Sequence, residues 1–137
     1  MSDPEEVLLA ARVLLDASAV LAYLEDEPGA LVVEEAITRG AALSTVNLAE
    51  VLGKVVDRDR DPEEVSADLT SLLVVLDFTE DFVVATAEVR KASAGRSLSL
   101  GDRACLGTAL VLGIPVLTAD QAWTRLPELP IEVRTIR

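Results

Sequence analysis

The chain has 137 residues with 24 acidic and 12 basic side chains and no histidine, a formal net charge of −12 at pH 7. The missing imidazole excludes Ser-His-Asp and Cys-His machinery, HExxH zinc sites and a histidine pH switch, and the single cysteine, Cys105, excludes disulfide frameworks and cysteine-rich zinc sites. Half the residues are hydrophobic, enough for one domain over 1–137 to bury a core without staples, so any chemistry falls to carboxylates, hydroxyls, amides, arginine or a bound cation.

The segment MSDPEEVLL carries acids where a signal peptide needs bases, and no charge-free apolar run approaches about 18 residues, so a cytoplasmic chain without membrane contact is expected. Asp3-Pro4-Glu5-Glu6 reads as a helix start and EVLLAAR as a small extra helix. Val13–Asp16 (VLLD) is a short apolar run ending in a carboxylate, which suits a buried parallel strand. Ser18–Leu24 reads as a short helix stopped by EDEPG, and Ala30–Arg39 as an amphipathic one closed by a left-handed Gly40. Ala42–Ser44 has room only for a strand, after which Thr45 caps a helix to about Arg58.

Asp61, Pro62 and Glu64 mark the next helix start, and that helix runs to about Leu73. Val74–Phe78 is a third strand. Thr79 caps a helix through Ala94 that Gly95 closes, and Ser99 opens another that Gly113 ends. Ile114–Thr118 and Ile131–Ile136 complete five strands. Strands separated by helices, without repeats or linkers, indicate one α/β layer sandwich with a mostly parallel sheet.

Most of the acids occupy turns and outer helix faces. Asp16, Glu50, Asp102 and Asp120 instead sit among apolar or small residues, in VLLDASAVLAYL, NLAEVLG, SLGDRACLG and IPVLTAD. Each has a local reading. Asp16 can cap the helix after it, Glu50 can pair with Lys54 one turn on, Asp102 stands at the capping-box position after Ser99, and Asp120 can be a turn residue. If the strand ending at Thr118 lies beside the one ending at Asp16, all four reach one crevice at the carboxyl ends of the strands, where parallel α/β sheets bind ligands. Four clustered carboxylates are costly unless cations occupy the site or some protonate. Oxygen-only ligands favour Mg²⁺ or Mn²⁺, and such a site suits hydrolysis of a phosphodiester.

The order and context of these acids resemble the PIN-domain ribonucleases, specifically the toxin subunits of VapBC-type toxin-antitoxin pairs. The likeness runs from Val13 to Arg137 through LLDASAVLAYLEDEPGA, STVNLAEVLGKV, LSLGDRACLGTALVLGIPVLTAD and QAW. It implies that Asp16, Glu50, Asp102 and Asp120 are the catalytic, metal-binding quartet and that Ser18 and Thr118 are hydroxyls beside the first and last acids. It also implies a five-stranded sheet in the order 3-2-1-4-5, an RNA substrate, and an antitoxin in a homodimeric or larger complex. Two departures stand out: residues 1–12 precede the usual first strand as an extension, and Gln121, Ala122 and Trp123 lie where some relatives carry a further acid.

Among the remaining residues, Arg103 can steady a carboxylate, meet a substrate phosphate, or be a surface arginine. Asn47, one turn before Glu50, can orient it or simply occupy a helix face. Cys105 reads as core filling, and Trp123 and Tyr23 as interface aromatics or single half-buried rings. The leading expectation is a Mg²⁺-dependent endoribonuclease toxin neutralised by an antitoxin. A receiver-like Mg²⁺-binding signalling domain needs a lysine near a late strand end, whereas the only lysines are Lys54 and Lys91. A catalytically inactive PIN-like interaction module would be favoured by missing acids, and all four are present.

Overall fold

The computed structural model describes residues 11–92, 97–126 and 129–137. The expected helix at Asp3–Arg12 falls almost wholly outside these residues, as does the Gly95 cap.

The elements are β1 (Val13–Leu15), α1 (Ala17–Leu24), α2 (Ala30–Arg39), β2 (Ala41–Ser44), α3 (Thr45–Asp57), α4 (Pro62–Leu72), β3 (Val74–Leu76), α5 (Val83–Ala92), α6 (Leu100–Leu112), β4 (Val116–Thr118) and β5 (Val133–Thr135). Short 3₁₀ turns at Glu80–Phe82 and Gln121–Arg125 lead into α5 and follow β4. The five strands form one sheet in the order β3-β2-β1-β4-β5. Every pairing is parallel. With β1 at the centre, the chain first builds outward through β2 and β3, then returns to build the other side through β4 and β5. The switch in direction falls between β1 and β4.

The sheet divides the core in two because successive strand residues face opposite sides. Leu14, Ala42, Leu76 and Val116 pack with Phe82, Val89, Leu106 and Leu112 from the α5 and α6 side. Val13, Leu15, Leu43 and Leu117 pack with Val20, Val33, Val51, Val65 and Leu69 from α1 to α4. Burial on both faces explains why the strand segments read as continuous apolar runs.

Several boundaries differ from expectation for identifiable reasons. Ser44, not Thr45, has the extended cap backbone, and its Oγ accepts from Val46 N at 3.3 Å. Thr45 is already helical, and its Oγ1 accepts from Phe78 N at 3.0 Å. That contact draws the chain out of β3 after Leu76, two residues early. Gly40 has φ 107° and ψ 109°, which is not the left-handed helical cap, because the chain runs straight on into β2. Thr79 precedes a 3₁₀ turn and makes no side-chain cap bond. Gly113, by contrast, takes the expected left-handed conformation with φ 69° and ψ 29°.

Candidate functional site

Asp16 follows directly on β1 and is buried, at 4% exposure. Pairing of Leu15 with Leu117 sets it beside Thr118 at the end of β4. Its Oδ1 accepts from Ala19 N at 2.8 Å and caps α1. Ser18 Oγ donates to the carboxylate at 2.7 and 2.9 Å, and Thr118 Oγ1 donates to Oδ2 at 2.5 Å. Each hydroxyl has one proton to give. With both spent on Asp16, Ser18 Oγ accepts from Ala119 N at 2.9 Å and Thr118 Oγ1 from Asp120 N at 3.0 Å. Two hydroxyls thus tie the end of β1 to the chain leaving β4.

Burial pushes the Asp16 carboxyl up to about 6 from its ordinary 3.8, despite the opposing donors from Thr118, Ala19 and Ser18. The charge of Asp102 adds to the rise. Cys105 lies beneath the same region. Its buried thiol is pushed well up by desolvation first and then by the charges of Asp16, Asp102 and Glu50. Those three acids therefore share one neighbourhood, and the protonated thiol is inert packing.

The other three acids are held locally. Half-buried Asp102 forms the reciprocal capping box of α6: Ser99 N donates to its Oδ2 and its N donates to Ser99 Oγ, both at 3.1 Å. Exposed Asp120 accepts from Ala122 N at 2.9 Å and caps the turn Gln121–Arg125. Exposed Glu50 forms no ion pair with Lys54 among the described residues; its Oε1 accepts from Asn47 Nδ2 at 2.7 Å. Capping and clustering are thus compatible, since helix starts and strand ends meet at this end of the sheet. Half-buried Arg103 follows Asp102, and among the described residues it forms no ion pair.

Asn47 is not a plain helix-face amide. It is buried, and its Nδ2 also donates to the Gly101 carbonyl at 3.1 Å. Sequence reading missed Gly101 altogether, although a glycine in the first turn of a helix is a signal of close approach. Trp123 is not an interface aromatic but is buried within the chain at 2% exposure, while Tyr23 is half-buried.

The chemistry of the donors fits a hard divalent cation. They are oxygens, one carboxylate is desolvated, and Asn47 Oδ1 is buried without a hydrogen-bond partner. As the side chains stand, no three acids or thiols among the described residues close on a common point. No described helix is long and apolar enough to cross a membrane.

No curated protein matches the sequence. Solved structures do resemble it in fold: a chain of DNA-bound VapBC from Salmonella typhimurium has a TM-score of 0.73 at 19% identity, covering 93% of this chain and 99% of that one. A toxin-antitoxin complex from Klebsiella pneumoniae gives 0.71 at 18%, covering 91% and 98%. VapBC-5 from Mycobacterium tuberculosis gives 0.60 at 24%, covering 92% and 98%. The PIN domain family model matches residues 13–129, a span that runs from the first residue of β1 past Asp120, and the chain accordingly belongs to the PIN-domain family.

Proposed function

We propose that this chain is a Mg²⁺-dependent endoribonuclease, with Mn²⁺ as an alternative ion, acting as the toxin subunit of a toxin-antitoxin pair in the cytoplasm. In this reading residues 1–137 are one domain, with 1–12 as its extension. Asp16, Glu50, Asp102 and Asp120 are the catalytic and metal-holding acids, and Ser18, Asn47, Arg103 and Thr118 support them. The observation that carries it is Asp16, a carboxylate buried at the switch point of a parallel sheet, raised toward neutrality and within reach of the charge of Asp102. A folded chain retains such a costly arrangement where a cation offsets it.

A bound Mg²⁺ would supply charge compensation for the scissile phosphate and activation of water. The chain's own residues do the positioning. Ser18 and Thr118 fix both oxygens of Asp16, Glu50 and Asp102 bring further negative charge to the same end of the sheet, and Arg103 offers a planar cation for a substrate phosphate. Asp120, joined to Asp16 through Thr118, borders the crevice on the β4 side.

The toxin role is supported by the assembly of structurally similar chains in toxin-antitoxin complexes. A cognate antitoxin and a homodimeric or larger complex are proposed on that basis. The test is cleavage of RNA by the purified chain with Mg²⁺, with Mn²⁺ and with chelator, alongside Asp16→Asn. Cleavage that needs the ion and is lost in the variant is the expected result. Metal-independent cleavage, or full activity in Asp16→Asn, would refute it.

A further inference from the structure

Gly101 leaves an opening that a carboxylate fills. The residue is buried in the first turn of α6, and a Cβ built on it would lie 2.6 Å from Glu50 Oε2 and closer still to Oε1 and Cδ. Helix formation does not ask for glycine here. Its φ lies outside the left-handed region, the α6 cap is supplied by Ser99 and Asp102, and glycine weakens a helix relative to alanine. What the missing side chain provides is space for Glu50 to lie against α6 from α3.

Asn47 closes the arrangement. Its Nδ2 donates at once to Glu50 Oε1 at 2.7 Å and to the Gly101 carbonyl at 3.1 Å. One buried amide therefore fastens a carboxylate of α3 to the backbone of α6. Glu50 is otherwise exposed, and an unfastened glutamate on a helix surface would spread over several rotamers facing water. Here its carboxylate is instead held against the first turn of α6, the turn that carries Asp102.

We propose that Gly101 and Asn47 are positioning residues for Glu50: Gly101 as the notch that admits its carboxylate beside Asp102, and Asn47 as the clamp that holds it there. This rests on the reading of Glu50 as one of the metal-holding acids.

The variant that tests it is Gly101→Ala. The atoms a methyl group would displace are the far end of a flexible, exposed side chain, so the variant folds and swings Glu50 outward. Its melting temperature without metal should equal or exceed that of the wild type, because alanine favours helix. Calorimetric Mg²⁺ affinity should nonetheless fall by roughly 10–100-fold, with kcat for RNA falling similarly and KM nearly unchanged. In a Glu50→Ala background, adding Gly101→Ala should produce no further loss, since the residue it displaces is gone. Wild-type Mg²⁺ affinity in Gly101→Ala, or a loss that adds in full to that of Glu50→Ala, would overturn the positioning role alone. A wild type that binds no Mg²⁺ would overturn the parent reading with it.

Discussion

Thr118 gives its only hydroxyl proton to Asp16 at 2.5 Å and takes one from the backbone of Asp120 at 3.0 Å, so one threonine at the end of β4 serves two of the four acids. Thr118→Val keeps the shape but removes one of the three donors to the Asp16 carboxylate, Ser18 and Ala19 remaining, and leaves Asp120 N unpaired. Such a change should cost about 2–3 kcal/mol in urea unfolding and push the Asp16 carboxyl further up, because the Thr118 donor now lowers it. Thr118→Ser should restore most of both. Equal stability of the valine and serine variants would show that the hydroxyl does not matter.

Asp16 also sets a pH dependence for the metal-free protein. Its carboxyl stands at about 6 in the fold against 3.8 ordinarily, so between those values the folded chain holds more protons than the unfolded one. The contribution of this group to stability therefore declines as pH rises from about 4 to about 6 and is level above. At pH 7 the ionised group costs on the order of 3 kcal/mol relative to acid conditions. Asp16→Asn should remove this slope and raise metal-free stability at pH 7 by about 1–2 kcal/mol, since the amide oxygen still accepts from Ala19 N. The check is the stability difference between wild type and variant at pH 4.5 and pH 7, which should widen toward neutrality.

Mg²⁺ should raise the melting temperature of the wild type by mass action, by about 2.7 kcal/mol of stability at a hundred times the dissociation constant. Asp102→Asn should keep the fold, because an asparagine side-chain oxygen can still accept from Ser99 N, yet lose most of that increment. Scanning calorimetry with and without millimolar Mg²⁺ measures it. An unchanged wild-type transition would leave Asp16, Asp102 and Asp120 as caps and nothing more.

If the proposed acids act together at one end of the sheet, a chain of charge −12 should attract a basic partner segment there. An antitoxin tail arginine, whose planar fork suits carboxylates, is expected to pair with the acids and compete with the cation. Changing that arginine to alanine should weaken inhibition of RNA cleavage, and added salt should slow association. Equal inhibition by a tail peptide with no basic residues would rule out the electrostatic mechanism.

Much of this architecture is written in local pattern. Asp16 and Thr118 stand at strand ends because VLLD and VLT are apolar runs cut off by polar atoms, and Ser99 with Asp102 is a reciprocal cap legible from a spacing of three. Long-range hydrogen bonds were not legible. Thr45 gave up its expected capping role because Phe78, distant in sequence, arrives with an unpaired N–H. Asn47 resembled a surface amide because nothing in NLAE announces that the Gly101 carbonyl will lie above it. Trp123 looked available for an interface, but packing beneath the loop after β4 claimed it, leaving its Nε1 buried without a partner among the described residues.

That burial makes Trp123 an optical reporter. It is the only tryptophan in the chain, it is 2% exposed, and it sits in the turn that Asp120 caps. Emission excited at the red edge of the absorption band therefore comes from one indole at one known place, three residues from a candidate ligand. Any event that pulls the Asp120 carboxylate away from Ala122 N loosens the turn that carries that ring, and its emission should shift without any label having been attached.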